Sequence, residues 1–237
     1  MIEIHDGLYC LHTDTTSLLL RVTPFGHLEL IHYGGRGTAA DAAALGVKNS
    51  SPYGCSVDYS PDDPFYSLDT LPLAWSGAAR GDYRESPVEL ESAAGSSTDF
   101  RFRSHEVTEG IVPLEGMPQA RDGEETLLIT LADEAAGAEL LLYFTLFPAE
   151  DVITRRTVLK NTGEEAITVK KLMSQMTDLP GRYVMTTFNG AHIAEARRTD
   201  TPAGEARVVN ESVTGMSSNR HNPGFLLWEP DAGEFHG

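Results

Sequence analysis

The sequence has 237 residues, with 18 Lys and Arg against 35 Asp and Glu, giving a formal charge of −17. Hydrophobic residues make up 41% and charged residues 22%, the balance of a globular chain long enough to bury a core without staples. The acidic excess argues against nucleic acid and anionic membrane surfaces, which attract clustered Lys and Arg.

Alternation dominates along the chain. Strands are expected at Leu18–Val22, His27–Tyr33 and Val88–Glu91. Asp99-Phe100-Arg101-Phe102-Arg103 sets two phenylalanines against two arginines, as a half-buried strand does. In Glu125–Asp133, Leu127, Ile129 and Leu131 share a face, with Leu128 and Thr130 on the other. Glu139–Phe147 is apolar on both faces, which predicts burial on two sides in a layered sheet protein. Val152–Lys160 and Ala166–Met173 flank Asn161-Thr162-Gly163-Glu164-Glu165 and read as a hairpin. Further strands are expected at Tyr183–Phe188, Ala206–Val209 and Phe225–Trp228. Thr38–Leu45 reads as a two-turn helix with Thr38 as N-cap. Ser50–Arg84 is a long irregular segment, a type that is usually functional or covers an interface. The sum is an all-β sandwich built as one unit over residues 1–237, with at most a short helix.

No apolar run approaches the ~20 residues of a membrane span. The stretch from Met1 to Asp6 lacks the pattern of a signal peptide. Cys10 and Cys55 fit unpaired thiols in a reducing compartment, so a cytoplasmic location is expected.

Motifs for nucleotides, metals and nucleophilic serines are absent, and no cofactor is expected. His12 and Asp14 lie two residues apart on a strand-like segment, a spacing that would put them on one face, yet one His beside one Asp falls far short of a metal site. The richest stretch is Tyr53–Asp69, with Tyr53, Tyr59, Phe65 and Tyr66 among Asp58, Asp62, Asp63 and Asp69. Aromatic faces stack on sugar rings and carboxylates accept hydroxyl hydrogen bonds, so this mixture suits a carbohydrate. The plainer reading, that the aromatics anchor a loop and the acids are solvated, carries more weight on composition alone. Those aspartates do not match the spacing of an EF-hand loop. In Gly81-Asp82-Tyr83-Arg84-Glu85-Ser86-Pro87, a buried Asp–Arg pair fixing a turn is favoured over Asp82 and Glu85 acting as acid and base.

An ordered series of stretches runs from Leu11-His12-Thr13-Asp14-Thr15-Thr16-Ser17, Gly26-His27-Leu28-Glu29 and Tyr33-Gly34 to Ser67-Leu68-Asp69-Thr70-Leu71-Pro72 and Gly81-Asp82-Tyr83-Arg84. It continues with Leu114-Glu115-Gly116-Met117-Pro118, Glu125-Thr126-Leu127, Val152-Ile153-Thr154-Arg155, Ser217-Ser218 and Asn222-Pro223. The series resembles the N-terminal domain of family 36 glycoside hydrolases, the microbial α-galactosidases. The resemblance implies a large β-supersandwich that precedes a catalytic (β/α)8 barrel. It also implies retaining hydrolysis of terminal α-galactosides such as raffinose-type sugars, with both catalytic aspartates in the barrel. This sequence lacks the barrel's Lys-Trp-Asp type motif, so it resembles a domain of such an enzyme, inactive alone and truncated before its last strands. No catalytic residue is therefore assigned. Two sugar contacts carry over from the family: Asp58, the nearest acid before the Ser-Leu-Asp-Thr stretch, and His192, which stands where the family's Gly-Ala-Trp stretch has Trp. The implied partners are galactosides, the barrel of the same or a neighbouring subunit, and further copies in a homo-oligomer. A free-standing sugar-binding module is the alternative.

Overall fold

The computed structural model describes residues 1–46, 57–204, 207–213, 220–230 and 234–236. The chain divides into two compact units, Met1–Asp178 and Leu179–Gly237.

Among the described residues, the first unit contains three antiparallel sheets. One runs in the order β1 (Ile2–His5), β2 (Leu8–His12), β3 (Thr16–Val22), β4 (Leu28–Gly35). A second pairs β5 (Val88–Glu91) with β10 (Thr168–Leu172). The third runs in the order β6 (Arg101–Glu109), β7 (Glu125–Asp133), β8 (Ala138–Phe147), β9 (Val152–Asn161). The first and third sheets meet face to face. Tyr9 of β2 lies 6.3 Å from Phe102 of β6, and its hydroxyl hydrogen-bonds His105 Nδ1 at 3.0 Å. Burial raises the Tyr9 phenol to about 12.

Alternation does the sorting in the third sheet. Leu127, Ile129 and Leu131 on β7 and Leu140, Leu142, Phe144 and Leu146 on β8 are almost wholly buried on one face. Complete burial of each such side chain stabilises by roughly 1.5–3 kcal/mol. The other face of β8 differs from expectation, because Leu141 and Tyr143 are only half-buried. Burial on two faces falls instead on β2 and β3. Tyr9, Leu11 and Leu20 are buried on one face, while Cys10 and Leu19 on the other pack with Ile31 and Ala42.

Four other expectations are corrected. The helix is a single turn, α1 (Ala42–Leu45), and its N-cap is Asp41. Thr38 instead donates its backbone N–H and hydroxyl to the Asp41 carboxylate, which tightens the preceding turn. The strands β9 and β10 do not form a hairpin: β9 pairs β8 over ten residues and β10 pairs β5. The loop between them is held elsewhere, with the N–H groups of Thr162 and Gly163 both donating to Gly137 O in the β7–β8 turn. Residues 207–210 lie outside any strand, and Ala206 lies outside the described residues. Finally, Asp14 sits in an exposed bend while His12 is buried against Ser17 at 2.7 Å, so the two share no face.

The described residues of the second unit form one sheet in the order β12 (Ala194–Pro202), β11 (Val184–Ala191), β13 (His221–Glu229), β14 (Glu234–His236). Helix among the described residues amounts to α1 and one 3-10 turn at Leu68–Thr70. The architecture is all-β, with no (β/α)8 barrel among the described residues.

Candidate functional site

The aromatic, acid-rich segment is a fastened loop. Its backbone closes on itself: Tyr59 N–H donates to Tyr66 O, and Tyr66 N–H to Asp63 O. Tyr66 is buried and Tyr59 half-buried, both packed against Phe25 with centroids 4.5 and 5.5 Å away. A hydrogen-bonded chain then ties the loop to the β3–β4 turn and to the segment just before β6. Tyr66 Oη meets Thr23 Oγ1 at 2.6 Å and His27 Nδ1 at 2.8 Å. His27 Nε2 reaches Asp99 Oδ1 at 3.0 Å. The second Asp99 oxygen accepts from the Tyr59 hydroxyl at 2.8 Å and Arg80 Nη2 at 3.0 Å. Burial works to raise the Asp99 carboxyl, but the hydrogen bonds from His27, Arg80 and Tyr59 outweigh it and hold it well below the usual carboxylate range. The anchoring reading therefore holds for Tyr59 and Tyr66, while Tyr53 lies outside the described residues.

What this loop presents outward is Phe65, 72% exposed, and the exposed Asp58 and Asp62. Asp63 Oδ1 is taken by Phe65 N–H at 3.0 Å, and Asp69 Oδ1 by Tyr83 N–H at 3.1 Å. Asp58 is exposed to solvent on this loop.

The loop's exit is pinned by Arg84. Its guanidinium grips both oxygens of Asp82, with Nε to Oδ1 at 2.9 Å and Nη2 to Oδ2 at 3.0 Å. It also donates to Leu71 O at 2.6 Å, Leu68 O at 2.7 Å and Asp178 Oδ2 at 2.9 Å. Asp82 further accepts from the Ser76 hydroxyl and the Arg84 N–H. Both of its oxygens are occupied, and Glu85 is paired to Lys171 at 2.9 Å. This is the turn-fixing pair favoured from the sequence, and it leaves neither carboxylate set up as a general acid or base. The preceding residues Ala79 and Arg80 have φ of 69° and 62°, a strained left-handed conformation for residues with a Cβ.

His192 occupies the other candidate position, exposed in the tight turn joining β11 and β12. The turn is two residues long, because Ala191 pairs Ala194. Gly190 permits it: a Cβ there would sit 2.2 Å from Ala194 O. Ile193 follows His192 with φ of 68° and is 84% exposed. Asp58 and His192 belong to different units. No cluster of three His, Cys, Asp or Glu side chains able to hold a metal occurs among the described residues.

Sequence reasoning missed the anchoring role of His27, Asp99 and Arg80, and also a cleft of about 200 Å³ on the third sheet. That cleft is lined by Tyr143, Thr154 and Arg156 beneath residues 111–120. Arg156 stacks 4.1 Å above the Tyr143 ring. Its neighbour Arg155 points to the opposite face, where it donates to Ala74 O and Met176 O beside the Trp75 and Phe144 rings. Burial lowers the Arg155 guanidinium to about 10. The signal was present in the Arg155-Arg156 pair, since adjacent strand residues must face opposite ways.

Comparison with known proteins decides the family. The profile described as "Glycosyl hydrolase family 36 N-terminal domain" matches residues 26–237. The chain belongs to that family, as its N-terminal domain. It is 32% identical over 239 residues to the bifunctional alpha-galactosidase/sucrose kinase AgaSK of Mediterraneibacter gnavus, covering 97% of this chain and 25% of the relative. It is 28% identical to alpha-galactosidase Mel36A of Lactobacillus acidophilus, covering 97% of this chain and 32% of that one. The solved galactosidase domain of AgaSK superposes with a TM-score of 0.88 at 31% identity, covering 97% of this chain and 33% of that structure. A substituted alpha-galactosidase AgaA of Geobacillus stearothermophilus, in complex with raffinose, superposes with a TM-score of 0.83 at 26% identity, over 94% and 32%. The chain thus spans a quarter to a third of the length of these relatives.

Proposed function

We propose that this chain serves as the non-catalytic N-terminal domain of a retaining α-galactosidase that removes terminal α-galactosides from raffinose-type sugars. In this reading it supports a catalytic barrel, takes part in homo-oligomer contacts and lends loop residues to the sugar pocket in a cytoplasmic enzyme. The observation that carries the reading is agreement of sequence and fold, over 97% of the chain, with part of an alpha-galactosidase. Asp58 on its fastened loop would accept a sugar hydroxyl. His192 at its hairpin tip would offer a smaller, titratable ring where the family has Trp, altering the stacking surface.

The reading is tested with a nitrophenyl α-galactoside. The enzyme made from the full reading frame containing this chain is expected to turn it over, and the 237-residue chain alone is not. Turnover by the chain alone at rates typical of the whole enzyme would refute the assignment. The exposed Phe65 on an acid-rich loop favours one rival, a free-standing sugar-binding module. Micromolar binding of galactose or raffinose by the chain alone would select it.

A further inference from the structure

The strand β6 is an open edge. Among the described residues it pairs only with β7, and every residue from Arg103 to Glu109 is exposed. Two hydrogen bonds fix the direction of its backbone groups. Just past the strand, Gly110 N–H donates to Glu124 O on the β7 side, whereas Phe102 N–H donates to Gly26 O on the opposite side. Backbone groups of an antiparallel strand alternate in direction, and the bulge between Phe102 and Ser104 adds one residue to the count. Counting from either end gives the same result. Ser104, Glu106 and Thr108 bond towards β7, while His105, Val107 and Glu109 turn their N–H and C=O groups outward. On that outer edge these three have no backbone partner among the described residues.

Charged side chains ordinarily guard such an edge. Here they match a reversed copy of the same strand. In a two-fold antiparallel pairing centred on Val107, His105 stands opposite Glu109 of the partner subunit, and Glu106 opposite Thr108 of the partner subunit. The Tyr9 hydroxyl engages His105 Nδ1 at 3.0 Å, which leaves Nε2 for a carboxylate. Neighbouring registers are worse. Centring on Glu106 sets that residue against its own copy, a like-charge contact. Centring on His105 runs Val107 into the bulge at Arg103.

We propose that β6 pairs with β6 of a second copy of this chain, in the register centred on Val107, so that two third sheets join into one. The three outward residues of each copy exchange about six backbone hydrogen bonds. Two His105–Glu109 contacts flank the axis, where the Val107 side chains, 42% exposed in the single chain, cover each other. The occupant follows from self-complementarity: the strand supplies both halves of the charge match, as a two-fold interface requires. The inference rests on the homo-oligomer contacts in the function proposed above and names their surface.

The test is disulfide trapping in the enzyme made from the full reading frame, with the 237-residue chain alongside. Residues of a hydrogen-bonded pair have Cα atoms about 5.5 Å apart, within the roughly 4.4–6.8 Å that a disulfide spans. Under mild oxidation Val107→Cys is expected to give about ten-fold more covalent dimer than wild type, whose Cys10 and Cys55 set the background. His105→Cys alone should not, because its two copies lie about 13 Å apart along the paired strands. Co-expressed with Glu109→Cys, it should, and that pair serves if Val107→Cys does not fold. No cross-link in either arrangement overturns the inference, and so does equal cross-linking of Val107→Cys and His105→Cys. Cross-linking confined to the 237-residue chain also overturns it, because the rest of the enzyme would then cover the edge. Light scattering and turnover of a nitrophenyl α-galactoside on the same sample separate the two readings. An active oligomer without the cross-link refutes only this surface, and a cross-linked dimer without activity refutes only the function.

Discussion

Replacing Arg84 by Ala is expected to be among the most destabilising single changes in the first unit. The Asp82 side chain is 0% exposed and that of Arg84 is 23% exposed, so the pair is largely withdrawn from solvent. Truncating the arginine removes the two-pronged contact with Asp82 and the donors to Leu68 O and Leu71 O. Asp82 would keep only the Ser76 hydroxyl and one backbone N–H. Breaking a buried pair from one side costs about 3–5 kcal/mol, because the remaining charge is uncompensated. Arg84→Lys should recover only part of this, since an ammonium cannot hold both carboxylate oxygens and two carbonyls at once. Combining Arg84→Met with Asp82→Asn should cost less than the two single changes added together, as groups in direct contact are not additive. The assay is urea unfolding of the 237-residue chain at pH 7, followed by circular dichroism, with the five variants compared at matched slope. A loss below about 1 kcal/mol for Arg84→Ala would show that this is a solvated pair of the kind that contributes little.

Other consequences follow from the same geometry. Asp99 has a depressed carboxyl, so its contribution is present above the unfolded value of about 3.9 and is lost as pH falls through the folded one. Wild type should therefore lose more stability between pH 7 and pH 3 than Asp99→Asn does; equal losses in urea midpoints would dismiss the network as a stabilising device. Gly190→Ala drives a Cβ into Ala194 O and should destabilise the β11–β12 hairpin by about 1–3 kcal/mol. In the intact enzyme it should also raise KM for a galactoside if the His192 tip touches sugar, and an unchanged KM would remove that tip from the pocket. Ile193→Asn relieves a left-handed β-branched residue and should raise stability by about 1 kcal/mol in thermal unfolding. A fall in the midpoint would mean the exposed isoleucine makes contacts worth more than the strain. Asp58→Asn in the intact enzyme should raise KM with little change in unfolding midpoint, since the residue is exposed; a loss of stability without a kinetic effect would make it a structural acid.

What the sequence made plain was whatever a period of two can encode. The boundaries of β7 at Glu125–Asp133 and of β5 at Val88–Glu91 match the alternating stretches, because each strand has one face in the core. The Asp82–Arg84 pair was also readable, since two opposite charges two residues apart in a Gly and Pro-bounded segment have few other uses. Pairing was not readable. The stretch Asn161–Glu165 has good turn chemistry, yet β9 and β10 join different sheets, because the Gly137 carbonyl captures the loop and β5 offers β10 an edge. Those partners lie about 25 and 80 residues away along the chain, beyond the reach of any local signal. The same limit hid the His27–Asp99–Tyr66 chain, whose members are drawn from three separate segments.

These anchors bear on how the proposed supporting domain would shape catalysis. A contact lent to a sugar pocket must be held close to its working position, and it is held by groups that never touch the ligand. Here two buried charged clusters fix the loop that carries Asp58 and Phe65: Asp99 with His27, Tyr59 and Arg80 at one side, and Asp82 with Arg84 at the other. Such clusters are costly ways to stabilise a β-sandwich, since apolar side chains of similar volume often do as well or better. Their use is geometric, because a bidentate grip and a four-member hydrogen-bonded chain define a single loop position where apolar packing would tolerate several. If that position matters to the enzyme, variants that replace either cluster by well-packed apolar residues should keep the sandwich's stability and still weaken galactoside binding. Stability and KM moving together in those variants would instead confine the clusters to a structural role.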